Sequence, residues 1–154
     1  MDGHFECGFE LKVHCKCLHP SCIGTLQLKL KSPQGIAYYR SLFEECEKYN
    51  IIPMVTLSHF DMPYILENDM GGWLNPESVE WFVQYARVCF DEFSHLVPFW
   101  LTFNEPMQTV TGGWENGDWP PGISSNKGRD VYMAGRHILL AHARVYRHNF
   151  WFSI

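Results

Sequence analysis

Apolar and polar positions fall into order along this chain only from Ser32 onward. Residues 1–31 show neither a clean period nor convincing helix caps. From Ser32 the pattern is helical: Ile36, Tyr39, Leu42, Phe43 and Cys46 recur at the spacing of one helix face. Ser32 suits the N-cap and Pro33 the first helical position, while Asn50 suits a left-handed end. Ile51 to Leu57 is a short, continuous apolar run rich in β-branched residues, the pattern of a buried strand. Pro53 lies near its start, where a missing donor is tolerated. After a polar loop and a short helical turn broken at Gly71-Gly72, Asn75-Pro76 repeats the cap-plus-proline start. Val79, Phe82, Val83, Ala86, Phe90 and Phe93 then mark a long amphipathic helix. Val97 to Phe103 is a second apolar strand. A loop rich in Gly, Trp, Asn, Asp and Pro runs from about Met107 to Arg129, and a third helix covers Val131 to His148. The clustering of tryptophan and Pro-Gly in that loop favours an ordered, functional segment.

Two continuous apolar strands separated by a long helix predict parallel pairing through crossover connections. The class is therefore α/β, either an open doubly wound sheet or a stretch of an eight-stranded barrel. Two strands do not decide between them, and two strands cannot close a barrel. In parallel α/β folds ligands bind at the carboxyl ends of the strands. Those ends carry His59 and Asp61 after the first strand, and Asn104 and Glu105 after the second. Position alone thus predicts one cleft presenting His59, Asn104 and Glu105. Glu105 is the sharpest candidate, because a carboxyl next to an apolar strand is partly desolvated, which raises its pKa toward the range useful for proton donation. The same position also suits an exposed loop glutamate. Asn104 suits a hydroxyl ligand or a strand-end backbone cap. His59 suits a hydroxyl, a metal or a satisfied core position.

Composition narrows the partners. The chain has 154 residues, one domain's length, and its 46% hydrophobic and 16% aromatic content exclude disorder. Net charge is −5 with no basic stripe, which argues against a nucleic-acid partner. No apolar run approaches the roughly 20 residues of a membrane span. The start, Met1-Asp2-Gly3-His4, has neither the basic nor the apolar region of a signal peptide, and the compartment stays open. Six cysteines include Cys7, Cys15, Cys17 and Cys22, close to His4, His14 and His19, but their spacing matches no paired zinc clip. No metal or other cofactor is expected. Cys46 and Cys89 fall on the apolar faces of helices, as small hydrophobes.

Several words along the chain are distinctive in combination. They are Ile52-Pro53-Met54-Val55-Thr56-Leu57, His59-Phe60-Asp61-Met62-Pro63, and Gly71-Gly72-Trp73-Leu74-Asn75-Pro76-Glu77. Phe99-Trp100-Leu101-Thr102-Phe103-Asn104-Glu105-Pro106, Pro121-Gly122-Ile123 and Leu140-Ala141-His142-Ala143-Arg144 follow in order. Together they closely resemble glycoside hydrolase family 1 over about residues 34–147. The resemblance implies an incomplete (β/α)8 TIM barrel, with the two strands here as the family's third and fourth. It implies a retaining β-glycosidase of carbohydrate metabolism acting on O-linked β-glucosides or β-galactosides without a cofactor. It further implies Glu105 as the acid/base, Asn104 near the sugar's 2-hydroxyl, and His59 on another hydroxyl of the same ring. Leu57-Ser58-His59-Phe60 is reminiscent of 6-phospho-β-glucosidases, whereas Pro106 and the Gly-Trp-Leu-Asn-Pro segment look more like ordinary β-glucosidases and lactase-like proteins.

The retaining mechanism needs a second carboxylate as nucleophile. In the family this lies in an Ile-Thr-Glu-Asn-Gly segment on the seventh strand, which these 154 residues do not contain. Glu115-Asn116-Gly117 is a superficial match, preceded by Gly113-Trp114 rather than a strand. The expected division is an unassigned segment 1–31, a partial barrel 32–148 and a divergent tail 149–154. The expectation is a glycosidase fragment, inactive in isolation. Two alternatives are a Klotho-like binding module of the same fold and a partial gene product without function.

Overall fold

A computed structural model of the chain describes residues 14–15, 32–124 and 126–150. Three parallel strands form one sheet in the order β1 (His14–Cys15), β2 (Met54–Ser58), β3 (Phe99–Phe103). Four α-helices are described with them: α1 (Pro33–Lys48), α2 (Ser78–Phe93), α3 (Pro106–Val110) and α4 (Lys127–Phe150). The parallel pairing expected of the two apolar runs is present, with Met54 opposite Phe99 and Ser58 opposite Phe103. The two-residue β1, which pairs His14 with Met54, has no counterpart in the sequence pattern. It is too short to carry a period. The other cysteines and histidines of the first 22 residues lie outside the described residues.

Local chemistry explains most element boundaries. Ser32 Oγ accepts from the Gly35 N–H at 3.2 Å, and Asn50 closes α1 with a φ of 55°. β2 begins at Met54, directly after Pro53, which cannot donate to the ladder. Asn75 does accept from the Glu77 N–H, at 2.9 Å, but this bond closes a turn, and α2 starts only at Ser78. The segment 107–129 is not all loop. Pro106 opens α3, and a π-helical turn covers Thr111–Asn116. Glycines allow the following chain to fold back on this turn: a Cβ at Gly112 would stand 2.9 Å from Trp119 Cγ, and one at Gly113 2.9 Å from the Pro120 carbonyl oxygen.

The core lies between the sheet and the helices. Val55 and Leu57 of β2 are buried against Val83, Cys89 and Phe93 of α2, with Phe43 of α1 edge-on to Phe93 at 5.4 Å. α2 buries more than one stripe, including Trp81, Tyr85 and Val88, because α4 covers it from another side. α4 contributes Ala134, Ile138, Ala141 and Val145, one face at helical spacing. Cys46 and Cys89 are both buried, and burial pushes both thiols up. β3 differs from β2: Phe99 is 56% and Leu101 41% exposed. Among the described residues no strand pairs with its outer edge. No described helix is long and apolar enough to cross a membrane.

Candidate active site

The carboxyl ends of β2 and β3 are tied together at the main chain. The Asn104 N–H donates to the Ser58 carbonyl at 2.9 Å, one step beyond the last register pair. Asn104 and His59 thus leave the sheet at the same end and on adjacent strands. The buried Tyr85 hydroxyl donates to the Leu57 carbonyl at 3.0 Å, anchoring the end of β2 to α2. Burial holds the Tyr85 phenol well above its usual range, so it stays a neutral donor.

The turn after β2 is unusual in its backbone. Phe60 has a φ of 67°, a left-handed conformation seldom adopted by an aromatic residue. Two kinds of contact hold it. The Asp61 carboxylate accepts from the His59 N–H at 2.8 Å, bracketing Phe60. The Phe60 ring stands edge-on to Trp119 at 4.7 Å and to the His59 imidazole at 5.3 Å. His59 is half-buried.

Glu105 is also left-handed, with φ 39° and ψ 62°, and directly precedes α3. Its carbonyl accepts from the Thr109 N–H at 3.0 Å, which begins the helix. The Glu105 side chain is exposed and Asn104 is half-buried. The desolvation expected for Glu105 is therefore not supplied by the described residues. Glu115 lies inside the π-helical turn Thr111–Asn116 and is exposed, so the superficial Glu-Asn-Gly match stands on no strand end.

Beside the His59 turn lies a cavity of about 150 Å³. Its lining includes Asp61, Glu67, Thr109 and Trp114. Burial raises the Glu67 carboxyl above its usual range. Among the described residues, Asp61 Oδ2 and the Trp114 indole N–H are buried without a hydrogen-bond partner. Periodicity singled out neither Asp61 nor Tyr85 for these roles. Only the short His-x-Asp spacing signals the turn; nothing local signals the reach of Tyr85 across 28 residues. No group of three His, Cys, Asp or Glu side chains among the described residues could hold a metal ion.

Comparison with known proteins places this geometry in context. The sequence profile of glycosyl hydrolase family 1 matches residues 27–150. Beta-glucosidase 1 of Arabidopsis thaliana is 42% identical over 125 residues, covering 75% of this chain and 24% of that protein. The 6-phospho-beta-glucosidase AscB of Escherichia coli (strain K12) is 46% identical over 110 residues, covering 71% of this chain and 23% of that protein. The crystal structure of rice Os3BGlu6 beta-glucosidase aligns with a TM-score of 0.77 at 34% identity, over 80% of this chain and 29% of that one. The chain thus spans about a quarter of the length of Beta-glucosidase 1 and of AscB.

Proposed function

The chain belongs to glycosyl hydrolase family 1, and from that premise we propose that these residues form part of a retaining β-glycosidase in which Glu105 is the acid/base. β2 and β3 are then the third and fourth strands of an eight-stranded barrel. Glu105 protonates the departing glycosidic oxygen and afterwards takes a proton from the attacking water. Asn104 and His59 hold hydroxyls of the sugar ring, Asn104 the one next to the anomeric carbon. The substrate is an O-linked β-glucoside or β-galactoside, and no cofactor takes part.

The observation that supports this reading is the bond from the Asn104 N–H to the Ser58 carbonyl. It sets His59 and Asn104-Glu105 at the same carboxyl end of two adjacent parallel strands, where such folds keep their chemistry. The left-handed backbone at Glu105 supports it further, because conformational strain at a non-glycine residue tends to persist at functional positions.

Retention needs a second carboxylate about 5–5.5 Å from the first. The family's Ile-Thr-Glu-Asn-Gly nucleophile segment is not among these 154 residues, so on their own they are expected not to turn over substrate. The test of the acid assignment uses the full-length enzyme carrying Glu105→Gln and a series of aryl β-glucosides. Substrates with poor leaving groups lose roughly 10²- to 10⁴-fold in kcat/KM, because they need protonation, while good leaving groups lose far less. An equal loss across the series removes Glu105 from the acid role.

A further inference from the structure

We propose that Asp61 is a positioning residue that sets His59 for the sugar, through its carboxylate bond to the His59 main chain. The inference rests on the proposed role of His59, and it adds a residue to which the family resemblance gave no part.

The geometry carries it in three steps. First, the one described hydrogen bond of the Asp61 carboxylate runs backward two residues to the His59 N–H, at 2.8 Å. A carboxylate accepting a main-chain N–H makes a charge-assisted bond, stronger than a neutral one. Second, the residue between them, Phe60, is held at a φ of 67°. An aromatic residue leaves that conformation readily unless its surroundings hold it, and the Asp61 bond spans it. Third, Asp61 Oδ2 is buried and has no partner among the described residues. An oxygen buried that way is unfavourable for stability alone, which points to a role beyond folding. The neighbouring strand end is fixed independently, by Tyr85 on the Leu57 carbonyl and Asn104 on the Ser58 carbonyl. Upstream of His59 the chain is therefore rigid, and Asp61 fixes the downstream side. The imidazole direction depends on both.

The test compares Asp61→Ala, Asp61→Asn, His59→Ala and the double variant His59→Ala/Asp61→Ala in the full-length enzyme. Asp61→Ala lowers kcat/KM on an aryl β-glucoside by roughly ten- to hundredfold, the effect of removing one charged hydrogen bond. Asp61→Asn, whose amide oxygen still accepts from His59, restores most of that loss. In the His59→Ala background Asp61→Ala adds nothing further, because the two act as one unit. Equal losses in both backgrounds would overturn the proposal and leave Asp61 a plain structural residue.

A second readout does not need activity. With selective ¹⁵N-histidine labelling, the His59 amide signal, assigned by its loss in His59→Gln, lies downfield while its N–H donates to a carboxylate. It moves upfield in Asp61→Ala and much less in Asp61→Asn. An amide signal at the same position in all three proteins refutes the bond. A full-length protein without β-glycosidase activity sinks the proposed function instead, and the amide shift still decides whether Asp61 holds His59.

Discussion

Single side chains in this chain are set by what surrounds them more than by what they are. Glu67 sits in the π-helical turn Ile65–Asp69 and Glu105 between β3 and α3; Glu67 lines a cavity and its carboxyl is raised by burial, whereas Glu105 stands exposed. For Glu67 the folded value lies above the unfolded one, so the folded state holds the proton more tightly. The stability this group contributes is present below the unfolded value, about 4.3, and is lost as pH rises through the folded value. Glu67→Gln keeps the shape and removes the charge. The expected outcome is a higher urea midpoint than the parent at pH 7 and no difference near pH 3.5. Midpoints measured across that range check it, and two curves running parallel at every pH would show that Glu67 is not desolvated. Gly72, with φ 50°, belongs to the same local unit: a Cβ there would run into the Glu67 carboxylate.

Elements differ in how completely they are used. β2 is buried along most of its length, with β1 on one side and β3 on the other. β3 has one paired edge, and its Phe99 and Leu101 are exposed. Large apolar side chains on a free edge invite pairing with another chain. The 154-residue polypeptide is therefore expected to self-associate at micromolar concentration. Leu101→Lys places a charge on that strand and raises the monomer fraction, measured by sedimentation velocity. No change on substitution would mean that association runs through another surface. The groove between β3 and α4, of about 560 Å³, is lined by Phe99, Leu101, Ile138 and Tyr146, the same apolar character continued onto the helix.

At the scale of the whole molecule, three parallel strands and their helices make a sector of a barrel. Barrel enzymes take their catalytic groups from the ends of several different strands. On the proposed reading this sector carries the acid/base Glu105, and the nucleophile comes from a strand it does not include. The expectation is that the 154-residue polypeptide releases no measurable nitrophenol from nitrophenyl β-glucoside. Turnover that vanishes in Glu105→Gln would contradict this and require a second carboxylate within these residues.

The chain's own pattern determined its class and its register of elements. Ser32, Pro33 and Asn50 bound α1 because caps and prolines act within a few residues, and the two short apolar runs became parallel strands because a long helix joins them in a crossover. The words around His59 and Asn104-Glu105 carried the family, which needs only residue identity in order. What sequence pattern left undecided was set by contacts between distant segments. β1 exists only as a partner of β2, and two residues hold no period of their own. The segment 107–129 became partly helical because Gly112 and Gly113 admit Trp119 and Pro120 at close range. Glu105 is exposed because no described segment packs over it, which residue identity around it does not announce. The hold of Asp61 on His59 depends on a left-handed Phe60 that its neighbours stabilise, and no local preference of Phe60 announces it.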